Sequence, residues 1–321
     1  EQEWEYGMKH RKIRNQTRER VAAMLLCSLV FCFVCGCQMK KNNEARQGAT
    51  GAAATEQAKQ DTSVKKEKKK KQNRLLVESD YEGVSKAYNS WWFKRNADHM
   101  PSGAQEEIDI AKYNAFYKDD SVMQKSVPDK VIYLTFDCGY ENGYTEGMLD
   151  VLKKHKAPAA FFVTQTYIRD NVAITKRMKE EGHIVGNHTI THPNLSEASL
   201  DKIMEEILGC QDYMKEATGY EMDLFFRPPK GEYSEYLLKA AQDLGYATIF
   251  WSMAYLDYDV NHQPSVEHVI EHFQKYYHPG AIPLIHNVSS ANAGALDTVL
   301  TNLEQEGYRF GSLYELKQNE Q

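Results

Sequence analysis

The chain has 321 residues, 42% of them hydrophobic and 26% charged, and it carries a formal net charge of −6. This length is enough for a domain of roughly 200 residues with its own hydrophobic core and a long appendage. Residues 1–77 contain 17 Lys and Arg against 8 Asp and Glu, whereas the remainder contains 22 against 37. Such an acidic domain argues against nucleic acid as a partner, because phosphates are neutralised by clustered Lys and Arg.

Residues 1–37 have the pattern of an export signal. The basic stretch "KHRKIRNQTRER" is followed by the charge-free apolar run "VAAMLLCSLVFCFVCGC", which is the order found in signal sequences. The ending "FVCGC" is similar to a bacterial lipobox, so cleavage before Cys37 would leave a lipidated N-terminus. An uncleaved membrane anchor and ordinary secretion are the alternatives. All three predict that the rest of the chain acts outside the cytoplasm, in the bacterial cell envelope.

Residues 38–77 are predicted to form a disordered, basic linker. Large apolar side chains are scarce in this segment, which contains "KKEKKKKQNR" near its end, so it cannot bury enough surface to fold. Residues 78–128 are interpreted as an N-terminal extension that packs on a larger domain spanning 129–318. A disulfide framework is not expected, since only Cys138 and Cys210 fall in the globular part.

From about residue 125, apolar runs alternate with amphipathic stretches. The expected strands are "VIYLTF" (131–136), "AAFFVT" (159–164), "HIVGN" (183–187), "LFFR" (224–227), "ATIFWSM" (247–253), "AIPLIH" (281–286) and a weaker "YRF" (308–310). The expected helices cover 144–155, 168–181, 198–217, 234–244, 265–277 and 293–306. This alternation indicates a parallel sheet covered on both faces, and so an α/β fold with a distorted (β/α) barrel of about seven strands. No glycine-rich phosphate loop follows the first strand, which argues against a nucleotide-binding sheet.

Chemically capable side chains come at the C-terminal ends of these strands. They are Asp137 and Cys138 after the first strand, His188 and His192 after the third, Arg227 at the end of the fourth, Trp251 and Asp257 after the fifth, and His286 at the end of the sixth. In a parallel barrel these ends share one rim, where active sites are built. We therefore expect the residues to meet in one site.

The spacing of His188 and His192 suits a divalent metal such as zinc, with Cys138 available as a third ligand and water as a fourth. A second histidine pair with the same spacing, His268 and His272, lies in a predicted helix beside glutamates. We interpret that second pair as a solvated helix face.

The other side chains suit proton transfer. Asp137 can act as a general base and His286 as a general acid. Arg227 would pair with Asp137 and lower its pKa, while Asp257 would favour the imidazolium form of His286. The constellation is typical of a metal-assisted amide or ester hydrolase. Cys138 as a nucleophile is the weaker alternative, because neighbouring Asp137 would raise its pKa.

At these residues the sequence resembles the NodB-homology polysaccharide deacetylases, carbohydrate esterase family 4. The stretches that carry the resemblance are "TFDCG", "HTITHP", "RPPKG", the segment 251–257 and "LIH". Longer stretches such as "TFDCGYENGYT" and "HPGAIPLIH" are similar to the branch that de-N-acetylates muramic acid on the route to muramic δ-lactam in spore cortex. The likeness runs from about residue 88 to 316 and implies removal of acetyl groups from sugar polymers.

The resemblance also implies a role for each residue. It makes Asp137 the base oriented by Arg227, His286 the acid tuned by Asp257, and His188 and His192 metal ligands. It places the backbone N–H of Lys230 in an oxyanion hole and assigns Trp251, Leu284 and Tyr140 to the substrate pocket.

Two positions depart from the family pattern. Cys138 stands where the family has a metal-binding aspartate and the muramic branch has an asparagine. A thiolate there would favour zinc over manganese or cobalt, whereas a neutral thiol would leave a weak site of two histidines. Lys230 stands where the family has a tyrosine, which preserves a backbone role but not the aromatic ring.

We therefore expect a metal-assisted N-deacetylase that acts on muramic acid in peptidoglycan strands whose stem peptides an amidase has removed. One alternative is a deacetylase of N-acetylglucosamine in peptidoglycan or chitin-like chains. The other is a wall-binding lipoprotein whose site is degenerate because of Cys138. The paired acid and base argue against this last alternative, since a binding module has no use for them.

Overall fold

The computed structural model describes residues 76–318 apart from 96, 102, 105–107, 125 and 127. The predicted signal or anchor segment, and all but the last two residues of the predicted linker, lie outside the described residues. None of the helices in the described part combines the length and the apolarity that crossing a bilayer requires.

Strands and helices alternate through the described chain. The strands are β1 (Asn89–Ser90), β2 (Ala115–Phe116), β3 (Val131–Ile132), β4 (Leu134–Cys138), β5 (Ala159–Val163), β6 (Ile184–Asn187), β7 (Phe225–Phe226), β8 (Glu232–Tyr233), β9 (Ala247–Ile249), β10 (Leu284–His286) and β11 (Arg309–Phe310). The α-helices are α1 (Thr145–Lys154), α2 (Gln165–Asp170), α3 (Val172–Glu180), α4 (Leu200–Thr218), α5 (Glu235–Asp243), α6 (Val266–Tyr276), α7 (Ser290–Gln305) and α8 (Tyr314–Gln318). Short 3-10 turns cover Glu78–Tyr81, Ala111–Tyr113, Asp120–Gln124 and Pro229–Gly231.

Serine side chains cap the N-termini of the longer helices that come after β6 in the chain, which are α4, α5, α6 and α7. Ser199, Ser234, Ser265 and Ser289 each accept a hydrogen bond from the backbone N–H three residues further on, which satisfies one of the unpaired donors of a helix N-terminus. The predicted helix 168–181 is instead two helices, α2 and α3, separated at Asn171, whose backbone is not helical.

Seven strands form one parallel sheet in the order β10-β4-β5-β6-β7-β9-β2. β4 and β5 are buried along their whole length, because helices cover one face and inward side chains fill the other. The edge strands β10 and β2 do not pair with each other in the described chain. The sheet is therefore a curled, incomplete barrel, and the predicted distorted (β/α) barrel of about seven strands is confirmed.

The seventh strand of this sheet is not the one that the sequence indicated. The predicted strand at 308–310 corresponds to β11, which pairs with β3 in a separate two-stranded sheet. The seventh strand is β2, which comes from the segment before the main domain and pairs with β9. A strand of two residues has no periodicity that a sequence pattern could detect.

The segment 78–128 also packs close to the C-terminal ends of the strands through Trp91. The Trp91 ring stacks on Phe250 with centroids 4.4 Å apart. Its indole Nε1 donates to the carbonyl of Trp251 at 2.9 Å, and its backbone N–H donates to the carbonyl of Gly231 at 2.8 Å. The segment thus buttresses the two loops that follow β7 and β9.

Gly186 in β6 leaves no room for a side chain. A Cβ there would lie 2.8 Å from the carbonyl oxygen of Phe225 and 2.9 Å from the Phe162 ring. We expect Gly186→Ala to lower the free energy of unfolding by about 1–3 kcal/mol, because an overpacked core must shift its backbone or its side chains. Urea unfolding followed by circular dichroism measures the change.

Gly147 in α1 offers a matched control, because a Cβ there meets nothing within 4 Å. Gly147→Ala should raise the free energy of unfolding by about 0.5–1 kcal/mol through helix propensity alone. Equal stabilities for the two variants would contradict the packing described for β6.

Candidate active site

Four of the predicted site residues lie at the C-terminal ends of neighbouring strands. Asp137 is the fourth residue of β4, and His286, the last residue of β10, is paired with it in register. His188 follows β6 directly, and Arg227 follows β7. Because all these strands are parallel, the four side chains share one rim of the sheet.

Arg227 is fully buried and its guanidinium joins three strands. Its Nη1 donates to Asp137 Oδ1 at 2.8 Å, and its Nη2 donates to Thr135 Oγ1 at 2.9 Å and to the Phe250 carbonyl at 3.1 Å. Its Nε donates to the Ile249 carbonyl at 2.9 Å. A guanidinium held by this many acceptors has one orientation, and that orientation fixes the Asp137 carboxylate.

The Asp137 carboxylate is ionised in this environment. Burial alone would raise its pKa, but the Arg227 guanidinium, with smaller contributions from His188 and His286, holds the pKa below its usual range. Oδ1 is occupied by Arg227, while Oδ2 lies 3.6 Å from His188 Nε2 on the inner face of the site. This second oxygen can take a proton from a water molecule that sits there.

The pKa of His286 is shifted in the opposite direction, towards the charged form at higher pH. Burial alone would lower its pKa, but the Asp257 carboxylate raises the pKa above its ordinary value. Asp257 is 1% exposed; its Oδ1 accepts from His286 Nδ1 at 2.7 Å and its Oδ2 accepts from the backbone N–H of His286 at 2.8 Å. The imidazolium therefore keeps its Nε2 proton for a group in the site, as a general acid must.

His188 and His192 lie beside this acid–base pair. Their rings are 4.7 Å apart at an angle of 69°, and His188 Nδ1 donates to the Arg227 carbonyl at 2.8 Å. That bond leaves the lone pair of His188 on Nε2, towards Asp137. Burial lowers the pKa of His188, and burial with the neighbouring His188 lowers the pKa of His192 to about 4. Both imidazoles are neutral at physiological pH, which is the state that binds a metal.

The loop that carries the two histidines is held by a buried carboxylate that the sequence did not reveal. Glu206, on α4, accepts hydrogen bonds from the backbone N–H groups of Ile190 and Thr191, both at 3.0 Å. Thr189 and His192 adopt positive φ angles of 72° and 58°, a left-handed conformation that non-glycine residues adopt only where surrounding contacts hold it. Glu206 supplies such contacts.

Cys138 does not join the histidines. It is fully buried in the apolar cluster between the sheet and the helices, whereas Asp137 faces the inner side, because successive side chains of a strand point to opposite faces. Burial, followed by the charges of Asp137 and Glu141, raises the pKa of the thiol well above its usual value. Within the described chain, no three His, Cys, Asp or Glu side chains are grouped as they would be to hold a metal ion. His188 and His192 are thus available as metal ligands, whereas the geometry gives no support to Cys138 as a third ligand.

The predicted pocket residues surround the rim. The Trp251 ring lies 5.7 Å from the Arg227 guanidinium carbon, and Leu284 precedes His286 by two residues on the same face of β10. Tyr140 is 48% exposed just after β4. Lys230 is exposed in a left-handed conformation, with φ at 58°. Trp251 thus lies beside Arg227 and Leu284 lies on the strand of His286, whereas Tyr140 and Lys230 are exposed residues of the loops that follow β4 and β7.

The second histidine pair is not the solvated face that the sequence suggested. His268 is exposed, but His272 is buried, and burial lowers the pKa of His272 to about 3. Its ring packs against Tyr255 at 4.7 Å and Tyr276 at 4.8 Å. The interpretation was wrong for His272 because the aromatic side chains of a neighbouring loop and of α6 itself cover that face.

Asn292 is a positioning residue that sequence spacing gave no reason to select. Its Nδ2 donates to Asp257 Oδ2 at 2.7 Å and to the His286 carbonyl at 3.0 Å, and its Oδ1 accepts from the Tyr255 hydroxyl at 2.7 Å. Asn292 lies in the first turn of α7, capped by Ser289. The helix start thus fixes both members of the His286–Asp257 pair.

A buried, oriented carboxylate and a histidine with a raised pKa thus lie on adjacent barrel strands, as in a hydrolase that uses a base and an acid. Residues 124–249 match the family described as polysaccharide deacetylase, and the chain belongs to this family, carbohydrate esterase family 4. It is 44% identical over 237 residues to the peptidoglycan-N-acetylmuramic acid deacetylase PdaA of Bacillus subtilis (strain 168), covering 73% of this chain and 88% of the relative. The solved structure of Bacillus subtilis PdaA matches with a TM-score of 0.70 and 42% identity, over 74% of this chain and all of the other. A peptidoglycan-N-acetylglucosamine deacetylase of Bacillus cereus is 35% identical over 59% of this chain and 88% of its own length.

We expect Asp257→Asn to lower the pKa of His286, because the imidazolium loses its carboxylate partner while its burial remains. Titration of the histidine ring signals by NMR, with His286→Gln to assign the resonance, measures the change. Asp259→Asn is the matched control, since Asp259 is exposed and pairs with His262 instead. An unchanged His286 pKa in Asp257→Asn would contradict the electrostatic role of Asp257.

Proposed function

We propose that this protein removes the N-acetyl group from muramic acid in peptidoglycan. The observation that carries the proposal is the ionised Asp137 on β4 opposite the protonated His286 on β10. The choice of sugar is supported by the similarity to the Bacillus subtilis relative, which extends over 88% of that protein.

The hydrolysis needs one base and one acid on either side of the acetamide group. Asp137 takes a proton from the attacking water as the water oxygen bonds to the acetyl carbon. The backbone N–H of Lys230 would donate to the oxygen that becomes negative. His286 then gives its Nε2 proton to the sugar nitrogen as the carbon–nitrogen bond breaks, so acetate and a free amine leave.

We further propose that His188 and His192 hold a divalent metal, zinc or alternatively manganese or cobalt. When bound, the metal supplies Lewis-acid polarisation of the acetyl carbonyl and of water. Trp251 and Leu284 would enclose the acetyl methyl group, and Tyr140 would lie at the pocket entrance. These roles rest on the positions of the side chains around the rim.

The proposal includes a place in the cell envelope. Peptidoglycan lies outside the cytoplasm, and the export-signal pattern of residues 1–37 agrees with that location. Attachment through Cys37 or through an uncleaved anchor would keep the enzyme at the membrane. Removal of stem peptides by an amidase would precede its action, and closure of the muramic δ-lactam of spore cortex would follow.

Deacetylation of N-acetylglucosamine is the second candidate function. It is supported by the 35% identity to the Bacillus cereus enzyme named for that activity. A wall-binding role without catalysis is less compatible with the site, because the paired Asp137–Arg227 and His286–Asp257 geometry serves proton transfer.

The purified protein should release acetyl groups from muramic residues of peptidoglycan that an amidase has stripped of stem peptides. Mass spectrometry of the digested strands measures the loss of acetyl, or of acetyl plus water where a lactam closes. Asp137→Asn should lower the rate at least about a hundredfold, because the base is lost. Chelator should abolish the activity and zinc should restore it.

A control separates loss of the base from loss of the fold. Circular dichroism of Asp137→Asn at low temperature should show the parent fold, since asparagine can still accept a hydrogen bond from Arg227, whereas its melting temperature should be lower because the buried guanidinium loses its counter-charge. Activity on N-acetylglucosamine oligomers with none on muramic residues would instead favour the second candidate. Inactivity on both substrates with any metal would contradict the enzymatic proposal.

A further inference from the structure

The loop 188–192, which carries both candidate metal ligands, has a backbone conformation that its own sequence does not favour. Thr189 and His192 have positive φ angles of 72° and 58°, a region that β-branched and bulky side chains rarely adopt. Two such residues in one short loop keep this conformation only where contacts from outside the loop fix it. A neighbouring element must therefore supply those contacts.

That element is α4, and its first contact with the loop is the carboxylate of Glu206. Its Oε2 accepts from the backbone N–H groups of Ile190 and Thr191, both at 3.0 Å, and its Oε1 accepts from Thr191 Oγ1 at 2.9 Å. The carboxylate is buried, and Lys202 Nζ, which lies on the same helix and reaches solvent, is 2.9 Å from Oε1. Because Lys202 compensates the charge, a buried carboxylate is tolerated here while its hydrogen bonds go to the loop.

The second contact is a gap at Gly209, further along the same face of α4. A Cβ on Gly209 would lie 2.5 Å from Cδ1 of Ile190, so glycine leaves the room that this side chain needs. Residues three apart on a helix are neighbours on its surface, so Glu206 and Gly209 hold the centre of the loop together. Just before the loop, Asn187 Nδ2 donates to the Ile207 carbonyl of α4 at 2.8 Å.

The rigidity of the loop matters because the site offers few ligands. Cys138 lies in the apolar cluster instead, and the described part of the chain contains no group of three His, Cys, Asp or Glu side chains that could hold a metal ion. The affinity of a site with two protein ligands, His188 and His192, therefore depends on how often both rings are already in place. If the competent arrangement is populated only in part, the dissociation constant rises by the inverse of that fraction.

We propose that Glu206 and Gly209 of α4 preorganise His188 and His192 for a divalent metal, and that Glu206 is a positioning residue that determines the metal affinity. This inference rests on the proposed function, in which these two histidines hold the metal. Glu206 is not itself a ligand, since both of its oxygens are bound by the loop and by Lys202. Metal binding would itself order the loop, so the effect falls on affinity rather than on the rate of the metal-saturated enzyme.

The test measures the zinc dissociation constant of the full chain, freed of metal by dialysis against a chelator, in competition with a chromophoric chelator. Glu206→Ala should raise the constant about 10- to 100-fold, as expected for loss of a residue that orients metal ligands. Glu206→Gln should keep most of the affinity, because its side-chain oxygen can still accept from the two backbone N–H groups. Gly209→Ala should weaken binding as well, since it displaces Ile190.

A kinetic measurement distinguishes positioning from a merely structural role. In Glu206→Ala the zinc concentration that gives half-maximal deacetylation should rise by the same factor as the dissociation constant. The kcat at saturating zinc should stay near that of the parent protein, because bound metal restores the arrangement of the two histidines.

Two control variants separate the loop contacts from charge and from stability. Glu205→Ala removes an exposed carboxylate of the same helix that also pairs with Lys202, at 3.0 Å, and should leave the zinc dissociation constant unchanged. Leu300→Ala creates a cavity under α7, which packs against α1 and α6. It should lower the melting temperature without changing the zinc affinity of the folded protein.

The outcomes separate the inference from the function beneath it. If Glu206→Ala binds zinc as tightly as the parent, or if Leu300→Ala loses as much affinity, Glu206 does not position the ligands although the metal site stands. His192→Ala should lose the zinc, which shows that the measured ion occupies this site. If the parent binds no zinc, or if His192→Ala keeps it, the proposed metal site fails and the inference fails with it.

Discussion

The buried ion pair between Arg227 and Asp137 is the constraint on which the rest of the site depends. A guanidinium with no exposure to water is stable only if every donor finds an acceptor and its charge is compensated. All three guanidinium nitrogens of Arg227 donate hydrogen bonds, to the carboxylate and the Thr135 hydroxyl on β4 and to two carbonyls at the C-terminal end of β9, and Asp137 compensates the charge. The backbone carbonyl of Arg227 fixes the ring of His188. One residue thus sets the position of the base through its side chain and the tautomer of a neighbouring histidine through its backbone carbonyl.

In the second half of the site, which is the His286–Asp257 pair, a buried carboxylate stabilises the protonated form of a histidine. His286 lies next to Asp137 in the sheet, and its own carboxylate, Asp257, keeps it protonated in surroundings whose burial favours the neutral ring. Asn292, at the start of α7, locks that pair. The two carboxylates therefore have different roles. Asp137 is bound to the Arg227 cation, which lowers its pKa, whereas Asp257 is bound to His286, the general acid.

Much of this arrangement could be predicted from the sequence, and the remainder could not for identifiable reasons. The alternation of strands and helices locates the strand ends that form the rim. It therefore predicts that Asp137, His188, Arg227 and His286 lie there together. The side to which Cys138 points depends on the pleat of β4 and on helices packed behind it, which a motif does not reveal. Contacts between segments that are distant in the chain determine the pairing of β2, the hydrogen bonds of Glu206 and the hydrogen bonds of Asn292, so no local pattern predicts them. The burial of His272 likewise depends on an aromatic loop that packs over its helix.

The central claim is that Asp137 is ionised and His286 is protonated at the same time, and the pH dependence of kcat/KM on amidase-stripped strands tests it most directly. The Arg227 pair lowers the pKa of Asp137, so activity should persist to pH values below the ordinary carboxyl range before it falls. Asp257 raises the pKa of His286, so activity should decline on the alkaline side only above the ordinary range of histidine. This account predicts a bell with those two limbs, and Asp257→Asn should move the alkaline limb to lower pH. A rate that rises through neutral pH to an alkaline plateau would contradict it, because His286 would then not be the acid.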